Sequence, residues 1–210
     1  MIEEFPQPVP LLVGVGTLSA SSADLLLRVK VAQCTNTGAV FNYSQYLQIL
    51  DCIFSSTSGG YGLYLNECGH TVLEDTLFTS NQTSLFIGGD QYATNAGGNS
   101  ASSNISVKTC WFYGPYSGSA QGYLVLSNAY NIDFTDCTFE HEISHSASLV
   151  RIQHNGAVNV TGNIYFNECQ WIGIAYNTTL IDISYGRRIY FKNCTAIPQN
   201  GGYYIVNSTD

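Results

Sequence analysis

His141-Glu142-Ile143-Ser144-His145 spells the string in which, on a helix, two histidines share a Zn2+ and the glutamate acts as base. Its setting argues against that chemistry. The string follows the strand-like Cys137-Thr138-Phe139 and precedes Leu149 to Ile152, with Ser and Ala between, so a helix of two turns has little room. Ala147 to Arg151 supplies neither a third histidine nor a glycine, and no spacing requires His154 as a remote ligand. An exposed polar loop is expected here, with no metal and no cofactor.

Carboxylates offer a second chemistry, because a pair flanking a glycosidic bond can work as acid and base. Asp133, Asp136, Glu140, Glu142 and Glu168 form the best such subset, crowded near His141. Against it stands a plainer role. Asp51, Asp75, Asp136 and Glu168 each sit directly before the same point of a repeat, where Asp and Asn favour a bend. The bend role is the expected one.

Aromatic residues give the third chemistry. Trp111, Tyr113, Tyr116, Tyr123, Tyr130, Tyr165 and Tyr190 lie in loops or at positions expected to point outward. Aromatic faces beside Asn and Ser donors make sugar-binding grooves, though tyrosine is also enriched where subunits meet.

The elements that must position these residues come from an eight-residue pattern: apolar, any, apolar, two polar, cysteine, any, aromatic or apolar. Ile132 to Phe139 and Ile164 to Trp171 are its clearest copies. Ile105 to Phe112, Ile189 to Ala196 and Leu47 to Phe54 follow it, and Val29 to Asn36, with Cys34, is a weaker copy. Thr71 to Phe78 keeps the frame with Thr76 at the cysteine position. Alternation on each side of a polar pair predicts two short strands joined by a bend. A further apolar run follows each copy, as in Leu63 to Leu65, Leu85 to Ile87, Tyr123 to Leu126, Leu149 to Ile152, Leu180 to Ile183 and Tyr203 to Val206. Each turn of the chain thus holds three strands. One turn cannot bury its own apolar face, so successive turns must stack.

Composition agrees. Of 210 residues only 10% are charged, and fifteen Tyr and ten Phe accompany many Ser, Thr, Asn and Gly, which is a strand-rich and turn-rich usage. The net charge of −8 disfavours nucleic acid and anionic membranes as partners. No segment has the roughly 18 apolar residues of a membrane-spanning helix, and the acidic start Met1-Ile2-Glu3-Glu4 lacks the basic region of a signal peptide. Six of the seven cysteines are assigned to one inward repeat position. That placement predicts buried free thiols and folding in a reducing compartment, a disulfide framework being the alternative. Asn-x-Ser/Thr sequons begin at Asn42, Asn81, Asn104, Asn159, Asn177, Asn193 and Asn207; glycosylation at them is not favoured, and Asn193 is expected to be poorly accessible.

Three short strands per turn, with an Asn, Asp or Glu bend before a small inward residue, resemble the right-handed parallel β-helix of the pectin-lyase-like superfamily. The resemblance covers about residues 25 to 207. It implies an all-β, single-stranded parallel β-helix solenoid of about seven three-strand coils over residues 21–210, preceded by an extended arm or cap over residues 1–20. The superfamily includes pectate lyases, polygalacturonases, phage tailspikes and adhesins. Arg151, Arg187 and Arg188 show no lyase-like arrangement, and the Asn-x-Asp and Asp-Asp motifs of the polygalacturonases are missing. The expected function is therefore a viral or phage spike, or a similar virion-surface β-helix. It would bind a host polysaccharide or surface glycan as a homo-oligomer, a trimer, reaching the virion surface or extracellular space after folding in a reducing cytoplasm. A polysaccharide lyase or glycoside hydrolase and a purely structural virion or surface-layer component are the alternatives. Because no helix follows the last apolar run, the end of the solenoid is expected to need either more chain or a partner.

Overall fold

The computed structural model describes residues 11–12, 25–55, 57–89, 101–115, 123–140, 148–153, 161–174, 179–184, 186–198 and 204–209. Among these, every strand pairing is parallel, and the strands form three sheets of seven, eight and seven members. The first sheet contains Leu25–Leu27, Gln48–Leu50, Val72–Glu74, Ser102–Lys108, Ala129–Thr135, Thr161–Asn167 and Gly186–Lys192. The second contains Leu11–Leu12, Lys30–Ala32, Ile53–Ser55, Leu77–Asn81, Trp111–Pro115, Thr138–Glu140, Gln170–Ile174 and Thr195–Pro198. The third contains Ala39–Asn42, Tyr61–Asn66, Thr83–Gly88, Leu124–Ser127, Val150–Gln153, Thr179–Ser184 and Tyr204–Thr209. The chain visits the sheets in turn, so each coil stacks one strand on every sheet and the whole winds as a right-handed parallel β-helix. The two clearest octets stack in frame: Ile132 pairs with Ile164, Phe134 with Phe166 and Phe139 with Trp171.

Alternation explains the core. Residues facing inward from successive coils meet their own kind, and the aromatic position of the second sheet builds a continuous column. Phe54 stacks on Phe78 at 5.3 Å, Phe78 on Phe112 at 4.9 Å, Phe112 on Phe139 at 4.7 Å and Phe139 on Trp171 at 5.7 Å. A second column on the first sheet stacks Phe134 on Phe166 at 5.0 Å and Phe166 on Phe191 at 5.2 Å. These separations follow from the ~4.8 Å spacing of paired strands.

The bend between the first and second sheets carries a residue in the left-handed region in each coil: Arg28, Asp51, Asp75, Thr109, Asp136, Glu168 and Asn193, with φ between 48° and 57°. The next residue turns inward. Cys52, Cys110, Cys137, Cys169 and Cys194 occupy that place and each thiol donates to the carbonyl two residues back, at 3.2 to 3.5 Å. Thr76 does the same through its hydroxyl, which donates to the Glu74 carbonyl at 3.0 Å. A small side chain fits this place, and threonine donates there as cysteine does.

One cysteine assignment, that of Cys34, is corrected by the register. Lys30 pairs with Ile53 and Val31 with Phe54, so Val29, not Cys34, aligns with Cys52. Cys34 belongs to the next corner, after left-handed Gln33, and Cys68 to the corner after the third sheet. The octet read from Val29 was one corner out of frame because every corner uses the same device, a left-handed residue followed by an inward one.

All seven cysteines are free thiols. Burial pushes the Cys68 thiol up to about 11 from the ordinary 9.0, and hydrogen bonding to neighbouring thiols together with burial raises Cys137 and Cys169. A raised folded value leaves stability untouched while both states hold the proton. Above pH 9.0 the unfolded chain releases its proton first, so the native state loses stability through pH 11 or so. Urea midpoints measured from pH 7 to 11 are expected to stay level and then fall above 9.0, and Cys68→Ala should shallow that fall.

Candidate functional site

The outer face of the first sheet is set by the same alternation that fills the core. With Ile132, Phe134, Ile164 and Phe166 inward, Asp133, Tyr165 and Tyr190 must point outward, and the register places them in one row. Tyr165 and Tyr190 stack at 4.9 Å with an interplanar angle of 9°, and remain 39% and 47% exposed. Tyr130, also exposed, lies at the start of its strand in the same sheet, where it pairs with Gly162, which in turn pairs with Arg187.

Polar groups surround this pair of rings. Asp133 accepts hydrogen bonds from the Asn167 amide at 2.9 Å and the Thr135 hydroxyl at 3.2 Å, which fixes its carboxylate beside the row. At the corner leading into the sheet, the Asn163 amide donates to Asn131 at 2.9 Å and the Asn131 amide to Asn104 at 3.2 Å. Asparagine suits this corner because all three residues have φ near 55°. The strand of Tyr190 also carries Arg187, Arg188 and Lys192, all exposed, which are three of only seven Lys and Arg in the chain. Among the described residues they form no ion pair; the pairs present are Arg28 with Asp51 and Arg151 with Asp182. Sequence reading considered Arg187 and Arg188 only as catalytic arginines and missed Lys192. The signal available was the clustering of three cations within one outward-facing strand of an acidic chain.

The other aromatic candidates do not join this row. Trp111, 46% exposed, and half-buried Tyr113 meet edge to face at 5.7 Å on the outer side of the second sheet, where Tyr113 pairs with Glu140. Tyr123 is a correction: it is 2% exposed and part of the core. It aligns with Leu149, its N–H donates to the Leu149 carbonyl at 2.8 Å, and Leu149 and Leu180 at the neighbouring positions are buried too. Strand alternation predicts an outward ring at this place, but the position just ahead of the third sheet is enclosed in every one of these coils. Tyr116 lies outside the described residues, as do Glu142, the whole His141–His145 string and His154.

The remaining carboxylates are distributed over three surfaces. Asp133 faces outward from the first sheet, Glu140 from the second, and Asp136 and Glu168 occupy successive bends between them. The bend role expected of Asp51, Asp75, Asp136 and Glu168 is what the backbone shows. Asp136→Asn should therefore leave stability within about 0.5 kcal/mol, whereas Asp136→Val should cost about 1–2 kcal/mol, because a β-branched side chain resists left-handed backbone. Urea unfolding of the two variants measures the difference. No group of three or more His, Cys, Asp or Glu among the described residues could hold a metal ion. No described helix is long and apolar enough to cross a membrane. Of the sequons, Asn81 is fully buried, its amide donating to the Phe54 carbonyl at 2.8 Å, while Asn193, expected to be hidden, is exposed at its bend.

No protein-family profile and no curated protein matches this sequence. Solved structures do match its fold. An alginate lyase from Paenibacillus sp. superposes with a TM-score of 0.54 at 8% identity, over 86% of this chain and 72% of its own. A mannuronan C-5 epimerase A-module from Azotobacter vinelandii gives 0.52 at 9% identity, over 90% and 58%. A tailspike protein of Pseudomonas phage LKA1 gives 0.45 at 12% identity, over 91% and 45%, so this chain spans less than half of that one. With three parallel sheets, a left-handed bend in each coil and stacked inward columns, the chain has a right-handed parallel β-helix fold, which it shares with that alginate lyase and that epimerase module.

Proposed function

We propose that this chain is the β-helix of a viral or phage spike, or of a similar virion-surface protein, and that it binds a host surface glycan on the outer face of its first sheet. The observation that carries this reading is the exposed Tyr165–Tyr190 stack beside Asp133 and the Asn131–Asn163 amides. The uncovered ring face and the ring edges of the stack offer a sugar apolar surface, and fixed amides and a carboxylate offer its hydroxyls partners. Arg187, Arg188 and Lys192 around the rings favour a glycan bearing carboxylates or sulfates over a neutral one, since they are cations with no described carboxylate partner. The alginate lyase and the mannuronan epimerase that share the fold are named for polysaccharides, the ligand class proposed here.

A lyase or hydrolase reading gains nothing from the carboxylates, because Asp133 and Glu140 face different surfaces and Asp136 and Glu168 serve as bends. The test is a printed array of neutral, uronate and sulfated oligosaccharides, followed by calorimetry at low and raised ionic strength. Binding to acidic members that weakens with salt supports the proposal. Binding to no member overturns it. Release of reducing or unsaturated ends would move the protein to the enzymes, and a native mass shows whether it assembles as the expected trimer.

A further inference from the structure

Four of the free thiols stand in one column. Cys110, Cys137, Cys169 and Cys194 take the same place in successive coils, and hydrogen bonds join Cys110 to Cys137, Cys137 to Cys169 and Cys169 to Cys194. Three of them also donate to a carbonyl of the coil before: Cys137 to Val107 at 3.5 Å, Cys169 to Phe134 at 3.5 Å and Cys194 to Phe166 at 3.2 Å. Access changes along the column. Cys110, Cys137 and Cys169 are buried, whereas Cys194 is half-buried. The strands on either side of Cys194, Gly186–Lys192 and Thr195–Pro198, each end their sheets, so among the described residues no coil stacks on it.

The backbone holds Cys169 and Cys194 together from both sides. The Glu168 N–H donates to the Lys192 carbonyl at 2.8 Å, and the Thr195 N–H donates to the Cys169 carbonyl at 3.0 Å. The two cysteines therefore keep the ~4.8 Å separation of paired strands. That lies within the roughly 4.4–6.8 Å between Cα atoms that a disulfide spans. Parallel side chains reach its ~90° dihedral only with strain, and a strained disulfide is easily reduced.

The geometry points to a reversible thiol–disulfide switch at Cys169 and Cys194, which ties the last two described coils together when the chain meets a small-molecule disulfide such as glutathione disulfide. The Cys194 thiolate attacks the oxidant and breaks its S–S bond, so that one glutathione leaves and the other caps Cys194. Sγ of Cys169, its proton given up, then attacks Sγ of Cys194, and the second glutathione leaves. One S–S bond breaks and one forms, and the two electrons and two protons of the protein thiols end on two glutathiones. The coils joined are those that carry Tyr165 and Tyr190. Burial raises the Cys194 thiol above the ordinary 9.0, so thiolate is scarce at neutral pH and capping should quicken about tenfold per unit of pH below 9.0. Cys169 is raised too, by its hydrogen bond to Cys137 and by burial, which makes its attack the slower step.

Trypsin cuts after Arg151, Arg187, Arg188 and Lys192, which puts Cys169 in peptide 152–187 and Cys194 in peptide 193–210. The native chain is incubated with glutathione disulfide at pH 7 and pH 8, free thiols are blocked with N-ethylmaleimide, and digestion without reductant precedes mass spectrometry. The expected product is the two peptides joined, formed faster at the higher pH and separated by dithiothreitol. The linked chain should melt about 2–6 °C higher, and dithiothreitol should reverse the rise. Cys34 is the internal comparison. It is half-buried as well, but among the described residues it has no thiol beside it, and it should carry glutathione without forming a link. Cys194→Thr, chosen because Thr76 fills the equivalent place, should keep the fold and lose the link. Glutathione retained on Cys194 with no link overturns the inference. So does a link that forms only in urea, or one that joins Cys194 to a different cysteine or to a second chain. A linked chain with an unchanged melting midpoint also overturns it, since the coils would not then be tied.

Discussion

Replacing Tyr165 and Tyr190 together by threonine is expected to weaken glycan binding roughly ten- to hundredfold while leaving the fold intact. Each aromatic face contributes about 0.5–1.5 kcal/mol beyond the area it buries, and about 1.4 kcal/mol is tenfold in affinity. The two rings stack face to face at 4.9 Å, so each orders the other and removing one leaves its neighbour unsupported. Threonine is the replacement of choice because it suits a strand. Both positions point away from the core, and Ile164, Phe166 and Ile189 on the same strands do the packing. Calorimetry against the strongest array member reads the affinity, and circular dichroism checks the fold. Unchanged affinity would remove the first-sheet face from consideration. Conversion of an oligomer to monomers would identify the rings as a subunit contact.

Phe112→Ala is expected to lower the unfolding free energy by about 3–5 kcal/mol, the cost of emptying a buried phenylalanine site. The magnitude rests on position. Phe112 is fully buried and stacked on both sides, at 4.9 Å to Phe78 and 4.7 Å to Phe139. In a solenoid each coil is held by its neighbours, so a gap in the middle of the column weakens two coil contacts at once. Phe191→Ala provides the contrast. Phe191 ends its column, stacks on Phe166 and is 42% exposed, so its loss should cost about 1–2 kcal/mol. Urea unfolding of both variants measures the ratio. Equal losses would mean that the columns do not carry the stability.

The octet could be read from sequence because its signal is local. Two residues of alternation on each side of a polar pair identify the strands, and Asp136 or Asn193 before a cysteine marks a bend wherever it occurs. What escaped such reading has a common cause. Each coil turns three corners with the same left-handed device, so a short apolar stretch such as Val29 to Ala32 fits the pattern in more than one frame. Only the pairing of Val31 with Phe54 chooses between them. Tyr123 shows a different gap: alternation says which side of a strand a residue takes, not what lies over that side. Tyr43 and Tyr46 take left-handed backbone at a corner, with φ of 60° and 62°, and nothing in a tyrosine's identity announces that.

By itself the sequence determined the coil: its three strands, its bends, its free inward cysteines and the identity of its stacked columns. These are consequences of period-two alternation and of left-handed tolerance, both written in neighbouring residues. Only the tertiary structure decided how the candidates are grouped. Asp133, Tyr165 and Tyr190 are many residues apart, yet parallel register makes them adjacent, while Trp111 and Glu140 are carried to another face by a single bend. The physical reason is that a β-helix joins residues by stacking along its axis, at separations set by loop lengths that no local pattern encodes.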